Sequence, residues 1–520
     1  MTFVRFLPEN TRLLQWTGCW AATVLTIANG LMLGWTSPYL TKLTAHDSPL
    51  PITMDEGSWL VSVITLSRLL GATISAVSVQ YFGRMLMLFV MGLKVGWTSP
   101  FMARLVAEDS VLPLTAGEVS WVASLLNFGR FCGSLLGGFF VEYLGSRRTL
   151  IGLGFPLILA WICIISANSA TWLYVARIAA GSSLGMAFNS FPLLLGEISS
   201  PSIRGTLVAF VITGMPLGTM IGVLMGPYLS MQVFSYIGLV PTVIFIVLFW
   251  WLPESPHYLL KHGRIEEAGK SIERYNPYAD REEELKSLKD FLSSNGNLTF
   301  RERLREVNLP KNRRAILLML ALYFFMQFSG VNSVMFYTET IVIRAKVNVI
   351  DPSSVVTLFG TFSVVSSLLS IFVADKLPRK VILIIASLGV GVSLLSLGIH
   401  FELLDRGCDP ASLQWLPIAS LMGFVFFLCN GLVSIPSTIL SEIFTQNVKS
   451  VAVCVGNVSV GIFAFIATGT YLPLVDLIGE AYVYWGNVVI LIACAIFTKL
   501  VVPETRGKTL QEIQEAFDKK

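Results

Sequence analysis

Residues 381–399 read VILIIASLGVGVSLLSLGI and contain no charged side chain. A helix rises about 1.5 Å per residue, so about 20 apolar residues cross a hydrocarbon core of about 30 Å. The apolar residues do not strictly alternate with polar ones, which argues against the strand of a membrane barrel and for a helix. This stretch therefore predicts a helix that spans a lipid bilayer.

The same pattern recurs along the whole chain. Its 520 residues are 54% hydrophobic and 13% charged, whereas soluble domains average about 25% charged residues. The composition predicts a membrane protein with many spanning helices. The apolar runs predict spans at 13–36, 58–80, 85–103, 119–142, 149–167, 171–195, 206–229, 233–252, 314–337, 355–374, 380–400, 415–437, 451–474 and 482–502.

One long polar segment, residues 253–313, is rich in lysine and arginine. Short loops that carry Arg147, Arg148 and Arg379 fall on the same side if the spans alternate. Because an excess of these residues marks the cytoplasmic side, both termini and the polar segment are predicted to be cytoplasmic. Its Leu and Glu pattern favours short amphipathic helices, and a solvated linker is the alternative.

The second half of the chain repeats the first. Glu197 and Arg204 return 245 residues further on as Glu442 and Lys449, with the same spacing of seven. The triplet PES that follows the eighth apolar run returns as PET after the last one. Parallel repeats about an axis normal to the membrane predict two similar helix bundles with the solute site between them.

A second repeat lies near the N-terminus. The sequence GWTSP at 34–38 returns at 96–100, and 19 of the 41 positions from Leu31 to Gly71 are identical at this offset of 62. The first hairpin is therefore present twice, and residues 1–92 form the extra copy. A faulty join of two copies of one coding segment is the other explanation.

Several motifs resemble the sugar porter family of the major facilitator superfamily, in particular its insect trehalose and hexose transporter branch. The resemblance covers about 93–515 and rests on an ordered set, which is GWTSP at 96–100, Arg177 with Gly181, Gly196-Glu197, Arg204-Gly205, PESP at 253–256, QFSGVN at 327–332 with Phe336-Tyr337, and PETRGKTL at 503–510. It implies an all-α membrane protein with the major facilitator fold, in two six-helix bundles plus the duplicated hairpin. The expected parts are the extra hairpin, the N-terminal bundle, the cytoplasmic helical linker, the C-terminal bundle and the cytoplasmic tail, at 1–92, 93–252, 253–313, 314–502 and 503–520.

The resemblance also implies residues for a sugar site, at Gln327, Asn332, Tyr337, Ser363 and Asn457. The family's ring of amides, carboxylate and tryptophans is incomplete here. Its other positions hold Met326, Ile212, Cys429, Ser437, Val458 and Gly461.

Arg130 is a further candidate on physical grounds, because it lies near the middle of an apolar run. A charged residue inside a membrane is costly and marks a functional site by default. It could face the cavity and bind a polar or anionic solute, and the alternative is that it snorkels to the membrane surface or pairs with Glu118 or Glu142. Gly330 and the Gly431–Pro436 stretch are predicted to soften spans beside the cavity, with ordinary glycine packing as the alternative.

Charged residues of the repeated motifs are predicted to form a gate at the cytoplasmic helix ends. There they could join the two bundles when the inner side is closed and separate when it opens. The alternative is that they only fix the topology. The candidates are Arg147, Arg148, Arg177, Glu197, Arg204, Glu254, Asp375, Arg379, Glu442, Lys449 and Glu504.

The resulting function hypothesis is facilitative transport of a sugar such as trehalose or a hexose by alternating access. Proton-coupled relatives carry an aspartate where this chain has Thr36 or Thr98, which favours uniport. No nucleotide loop, zinc motif or serine elbow indicates an enzyme, a metal or a cofactor. The expected partners are a sugar or polyol and the bilayer, not nucleic acid, and the expected location is the plasma membrane. A non-transporting sensor, an inert paralogue and a carrier of another polar or anionic solute stay open.

Overall fold

The computed structural model describes residues 78–106, 112–198, 214–250, 252–275, 280–294, 306, 309–407, 413–444 and 446–506. The chain divides into two compact units, Met1–Phe82 and Gly83–Lys520, and nearly all described residues belong to the second. The duplicated hairpin therefore lies mostly outside the described residues, as does the tail beyond residue 506.

The described residues are almost entirely helical. The first half of the fold contains α1 Ser78–Gly96, α2 Thr98–Val106, α3 Ala116–Leu144, α4 Ser146–Gly152, α5 Gly154–Ile165, α6 Ala170–Ile198, α7 Gly214–Met225 and α8 Met231–Trp250. The linker contains α9 Pro256–Lys261, α10 Ile265–Tyr275 and α11 Arg281–Ser294. The second half contains α12 Pro310–Gln327, α13 Val331–Arg344, α14 Pro352–Lys376, α15 Arg379–Asp405, α16 Trp415–Phe427, a π-helix at Leu428–Leu432, α17 Ser434–Ile443, α18 Gln446–Ile478 and α19 Glu480–Leu500.

Within these ranges, ten stretches of helix are long and apolar enough to cross a membrane. They differ in what surrounds them. In Met85–Val106, formed by α1 and α2, 83% of the most apolar stretch is buried inside the protein, whereas in Met231–Trp250 the share is 33%. The first is therefore an interior helix, and the second leaves most of its surface to lipid. Protein around the first span explains why it tolerates Lys94 and a weak apolar pattern.

Glycines allow α3 and α6 to pack closely within the first half. Gly129 lies against Ile178 and Gly133 against Ser182, so the two helices run in the same direction. A Cβ atom at Gly133 would overlap the carbonyl oxygen of Ser182. Small residues of this kind let helix backbones approach within a membrane, where apolar burial does not drive association.

The two halves meet mainly along α3 and α18. The Asn127 side chain donates to the Thr468 hydroxyl at 3.1 Å, and Gly461 lies against the backbone of Phe131. The residue numbers run in opposite directions, so these helices are antiparallel. The α3 C-terminus and the α18 N-terminus therefore share one end of the fold. This end carries Arg147 and the start of α15 and is called the basic end, and the opposite one the far end.

At the far end, hydrogen bonds join the two halves. The backbone N–H of Glu339 in α13 donates to the Ser99 hydroxyl of α2 at 3.1 Å. The Ser120 hydroxyl of α3 donates to the carbonyl of Gly469 in α18 at 3.2 Å. The far ends of the two halves are thus in direct contact.

The polar segment forms the short helices α9, α10 and α11, as its pattern predicted. Ala268 and Ile272 are the buried face of α10. The Ser271 hydroxyl donates to the carbonyl of Glu254 at 2.5 Å, and Lys261 forms an ion pair with Glu142 at 2.5 Å. The ion pair with Glu142 of α3 attaches the linker to the first half.

Candidate functional site

Gln327 and Asn332 flank a break between α12 and α13. Gly330 has φ of +84°, a left-handed conformation that a residue with a side chain rarely adopts. A Cβ atom there would also come within 2.8 Å of the Asn487 side-chain nitrogen. Across the break, Asn332 Nδ2 donates to Gln327 Oε1 at 2.6 Å. The helix is broken at Gly330, and the break brings two amides together. The predicted softening of this span stays a prediction.

Tyr337 lies at a second irregularity, where φ is −112° and ψ is 16° inside α13. Its ring stacks on Tyr471 of α18 with centroids 5.2 Å apart, and the hydroxyl groups of Tyr471 and Tyr484 form a hydrogen bond of 2.9 Å. Only 1% of the Tyr337 surface is exposed. Tyr337 therefore belongs to a packed aromatic wall behind the amide pair.

A second polar cluster joins α3, α6 and α18. Asn457 Nδ2 donates to Asn189 Oδ1 at 2.7 Å, and Asn189 Nδ2 donates to the carbonyl of Ser134 at 2.5 Å. The guanidinium of Arg130 lies over the Phe188 ring, 4.6 Å from its centroid. Asn189 was missed by the sequence interpretation, although an amide inside an apolar run was a usable signal.

Tyr323 connects the two clusters. It lies in α12 four residues before Gln327, hence on the same face, and within electrostatic reach of Arg130. A Cβ atom at Gly456, next to Asn457, would lie 3.0 Å from the Tyr323 ring. The amide pair and the Arg130 cluster thus face one region between the halves.

No carboxylate within the described residues forms an ion pair with Arg130. Glu118 caps α3 through Thr115, and Glu142 pairs with Lys261. Arg130 Nε has no hydrogen-bond partner in the described part of the chain. The alternative in which Arg130 pairs with Glu118 or Glu142 is therefore wrong, and the region between the halves has a free positive group.

Ser363 is not joined to these clusters by any described hydrogen bond. Its hydroxyl donates to the carbonyl of Gly360 in its own helix at 2.7 Å. Gly461, another position where the family pattern is absent, contacts Phe131 and seals the α3–α18 interface. The predicted contact of Ser363 with sugar stays a prediction.

The π-helix Leu428–Leu432 overlaps the predicted soft stretch Gly431–Pro436 only at its first two residues. Asn430 Nδ2 donates to the carbonyl of Phe426 at 2.9 Å, and its Oδ1 is buried without a partner among the described residues. Gly431 lies against Ala386 of α15. Single π-turns are frequent at functional sites, so Asn430 is a further candidate that the sequence interpretation missed.

At the basic end of the first half, the Glu254 carboxylate lies at the N-terminus of α4. Its Oε1 accepts from the backbone N–H groups of Arg147 and Ser255, both at 3.3 Å, and Arg148 Nε lies 3.8 Å from its Oε2. The Arg147 side chain donates to the carbonyls at the end of α8. Burial raises the pKa of the Glu254 carboxyl, against the lowering effect of these donors and charges.

The second half repeats this arrangement. Glu504 accepts from the backbone N–H groups of Arg379 and Lys380 at 3.0 and 3.2 Å, so it caps the start of α15. Arg379 also forms an ion pair with Glu442 at 3.3 Å. Each of these described pairs lies within one half. The proposed role of these residues in joining the halves remains a prediction.

Arg177 is not at the basic end, so its predicted position is wrong. Gly129 packs on Ile178 of the parallel helix α6, which places Arg177 at the level of residue 128 of α3, far from Arg147. Arg177 is 2% exposed, and it donates to the Thr98 hydroxyl at 3.1 Å. The remaining gate candidates fall on side chains or residues outside the described part, at Glu197, Arg204, Asp375 and Lys449.

A family model described as "Sugar (and other) transporter" matches residues 107–517. The chain belongs to this sugar transporter family. Members of the sugar transporter family are transporters and not enzymes, and the ten apolar spans make this member an integral membrane protein.

Insect members of the sugar transporter family are similar over most of their length. The facilitated trehalose transporter Tret1 of Polypedilum vanderplanki is 30% identical over 427 residues, which cover 82% of this chain and 84% of the relative. Tret1 of Bombyx mori is 28% identical over 427 residues, which cover 81% and 83%.

Solved structures confirm the predicted fold. The proton:xylose symporter XylE bound to 6-bromo-6-deoxy-D-glucose has a TM-score of 0.67 at 20% identity, with 84% of this chain and 99% of that chain covered. The inward open xylose transporter XylE from E. coli has a TM-score of 0.68 at 19% identity, with 84% and 98% covered. The chain therefore has the major facilitator fold.

Proposed function

We propose that the protein is a facilitative uniporter of a sugar such as trehalose or a hexose, and that it works by alternating access. The observation that carries this proposal is the pair Gln327–Asn332, placed at a helix break and facing the Arg130 cluster between the two halves. The similarity to facilitated trehalose transporters supports the choice of solute.

The chemistry of the amide pair suits a neutral polyol. Each amide offers donors and acceptors, and a sugar hydroxyl can replace the bond that Asn332 now makes to Gln327. A net hydrogen bond contributes about 1 kcal/mol, and millimolar affinity corresponds to about 4 kcal/mol. A few such exchanges are therefore enough for a carrier that must also release its solute.

The contacts between the halves support alternating access. Hydrogen bonds from Glu339 to Ser99 and from Ser120 to Gly469 close the far end. The described ion pairs of the basic end stay within each half. With the basic end in the cytoplasm under the positive-inside rule, this is a state closed to the outside. Both termini are then cytoplasmic, and the plasma membrane is the proposed location.

Uniport is supported by the positions of the acidic side chains. Within the described spans, Glu339 of α13 is half-buried, and its backbone N–H donates to the Ser99 hydroxyl. It is therefore at the far-end contact rather than beside Gln327. Thr98 supplies a neutral hydroxyl to Arg177, where an acid would be needed for a charge-coupled pair.

The test is uptake by proteoliposomes that contain the full chain. Labelled trehalose and glucose should show saturable counterflow that a protonophore and a sodium ionophore leave unchanged. Empty vesicles and vesicles with Asn332→Ala serve as controls. Uptake that collapses with the protonophore would contradict uniport, and the absence of saturable flux for every neutral solute would contradict sugar transport.

A non-transporting sensor is the second candidate. Two positions that bind sugar in the family have other contacts here, and this favours a sensor. The Ser363 hydroxyl donates within its own helix, and Gly461 packs against Phe131. A sensor would bind trehalose, measured as a saturable rise in melting temperature, without counterflow. Binding together with counterflow excludes it.

A further inference from the structure

Two positive side chains are buried next to each other in the first half, away from Arg130. Lys94 is 3% exposed and Arg177 is 2% exposed. They are linked through Thr98, whose hydroxyl accepts from Arg177 at 3.1 Å and donates to the carbonyl of Lys94 at 3.4 Å. Each lies within electrostatic reach of the other.

Two tryptophan rings form the rest of the surroundings. The Lys94 ammonium lies 3.4 Å from the centroid of the Trp161 ring, and the Arg177 guanidinium lies 4.2 Å from that of Trp97. Cation–π contacts offset part of the cost of burying a charge. They supply no negative charge, and two buried cations repel each other.

The hydrogen-bond donors of this cluster are in excess. Lys94 Nζ, Arg177 Nε and Trp97 Nε1 are all buried, and none has a hydrogen-bond partner within the described residues. The acid Glu339, whose backbone N–H donates to Ser99, forms no described ion pair or side-chain hydrogen bond with Lys94 or Arg177. Buried donors are normally satisfied, and buried charges are normally paired. The cluster therefore lacks an acceptor that carries negative charge.

We propose that Lys94, Arg177 and Trp97 form a binding site for a small monovalent anion, either a halide or the carboxylate group of an organic acid. The site lies at the junction of α1 and α2, on the far-end side of Arg130. It shares no described hydrogen bond with the proposed sugar site at Gln327 and Asn332. Its occupancy neutralises one of the two buried cations and completes the core of the first half.

The first test measures the melting temperature of the purified full chain in detergent at constant ionic strength. Chloride and acetate are each titrated against a bulky anion, gluconate. A saturable rise with chloride identifies a halide, and a rise with acetate identifies a carboxylate. A melting temperature that is the same in all three salts would overturn the proposal.

Variants assign the effect to the cluster. Lys94→Met should raise the half-saturating anion concentration about tenfold or more, as expected when a hydrogen bond to a charge is lost. Lys499→Met, which removes an exposed lysine of α19, is the matched control and should keep the wild-type response. A full response in Lys94→Met would contradict the assignment.

A measurement on the wild-type protein covers the case in which Lys94→Met does not fold. Iodide quenches tryptophan emission at contact, and Trp97 and Trp161 both line the cluster. We expect a part of the quenching that saturates and that chloride or acetate reverses competitively. Quenching that rises linearly with iodide and ignores both competitors would overturn the site.

Discussion

Gln327 and Asn332 satisfy each other across the break at Gly330, so neither amide can be removed without leaving the other unpaired. An unsatisfied buried polar group costs about 1–3 kcal/mol. We expect Asn332→Ala to lower the free energy of unfolding by about this amount and to raise the half-saturating sugar concentration about tenfold or more. Melting curves and counterflow with trehalose measure the two effects.

The control for this variant is Thr361→Ala. Thr361 is exposed on α14, and its hydroxyl bonds to the carbonyl of Thr357 in the same helix. Its loss should leave both quantities near their wild-type values. Unchanged counterflow in Asn332→Ala would remove the amide pair from the sugar site.

The buried carboxyl of Glu254 leads to a prediction about pH. Because burial raises its pKa above the ordinary 4.5, the folded protein binds the proton more tightly than the unfolded chain. The stability that comes from this proton is present below pH 4.5 and is lost as pH rises through the raised pKa. As the pH rises just above 4.5, the melting temperature of Glu254→Gln should therefore fall less than that of the wild type.

A carboxyl with the opposite shift provides the control. Glu266 is exposed, and its hydrogen bond to Lys270 lowers its pKa. Glu266→Gln should change the pH profile in the opposite direction, and only slightly, because exposed pairs contribute little. A wild-type pH profile in Glu254→Gln would mean that Glu254 does not titrate in this window.

Single residues were predictable from the sequence where a motif or a misplaced polarity marked them. Gln327, Asn332 and Arg130 were singled out in this way. The partners of Arg130 and the position of Arg177 were not, because they depend on which helices pack together. Arg177 was assigned to the wrong end since its charge resembled that of the basic motifs, whereas its helix runs parallel to α3 and places it at the level of residue 128.

At the scale of elements, the contact between α3 and α6 depends on glycine. We expect Gly133→Ala to destabilise the protein by at least about 1–3 kcal/mol, since the new Cβ would overlap the Ser182 carbonyl and the backbones would have to separate. Gly117→Ala is the matched control in the same helix, because nothing lies within 4 Å of a Cβ there. Thermal unfolding in detergent compares the two. Equal melting temperatures would show that this contact yields easily.

The spans and the linker helices could be read from the sequence because apolar runs and amphipathic patterns are local properties. The span at 85–103 looked poor for the same reason, since hydropathy assumes lipid around a helix and this one has protein around it. The break at Gly330 was predicted from glycine. The irregular backbone at Tyr337 has no local signal, because it depends on packing against α18. Glycine pointed to an irregularity near Asn430, but the position of the π-turn depends on packing against α15.

At the scale of the whole molecule, alternating access requires α3 and α18 to separate at their far ends. A Cβ atom at Gly469 would lie 3.5 Å from the Cβ of Ser124, within the range of a disulfide. The double variant Ser124→Cys with Gly469→Cys should lose counterflow on oxidation and regain it on reduction. Each single variant, treated in the same way, is the control. Undiminished counterflow in the oxidised double variant would mean that this contact does not open during transport.

The two-fold repeat of charged motifs was enough to predict two bundles with a site between them. It could not tell which helices meet at the proposed site, because the five that contribute to it, α3, α6, α12, α13 and α18, come from distant parts of the chain. Nor did it show that the far end is closed, which rests on hydrogen bonds such as that from Glu339 to Ser99.

Glu254 and Glu504 each follow the last span of one half and accept hydrogen bonds from the start of the third span of the same half. The linker helices are attached to the first half. The fold of each half therefore depends little on the covalent connection between the halves. A gene divided after the codon for Ser294 should yield two polypeptides that complement each other when they are produced together. Their co-purification with restored counterflow would show that the halves recognise each other through α3 and α18 rather than through the tether.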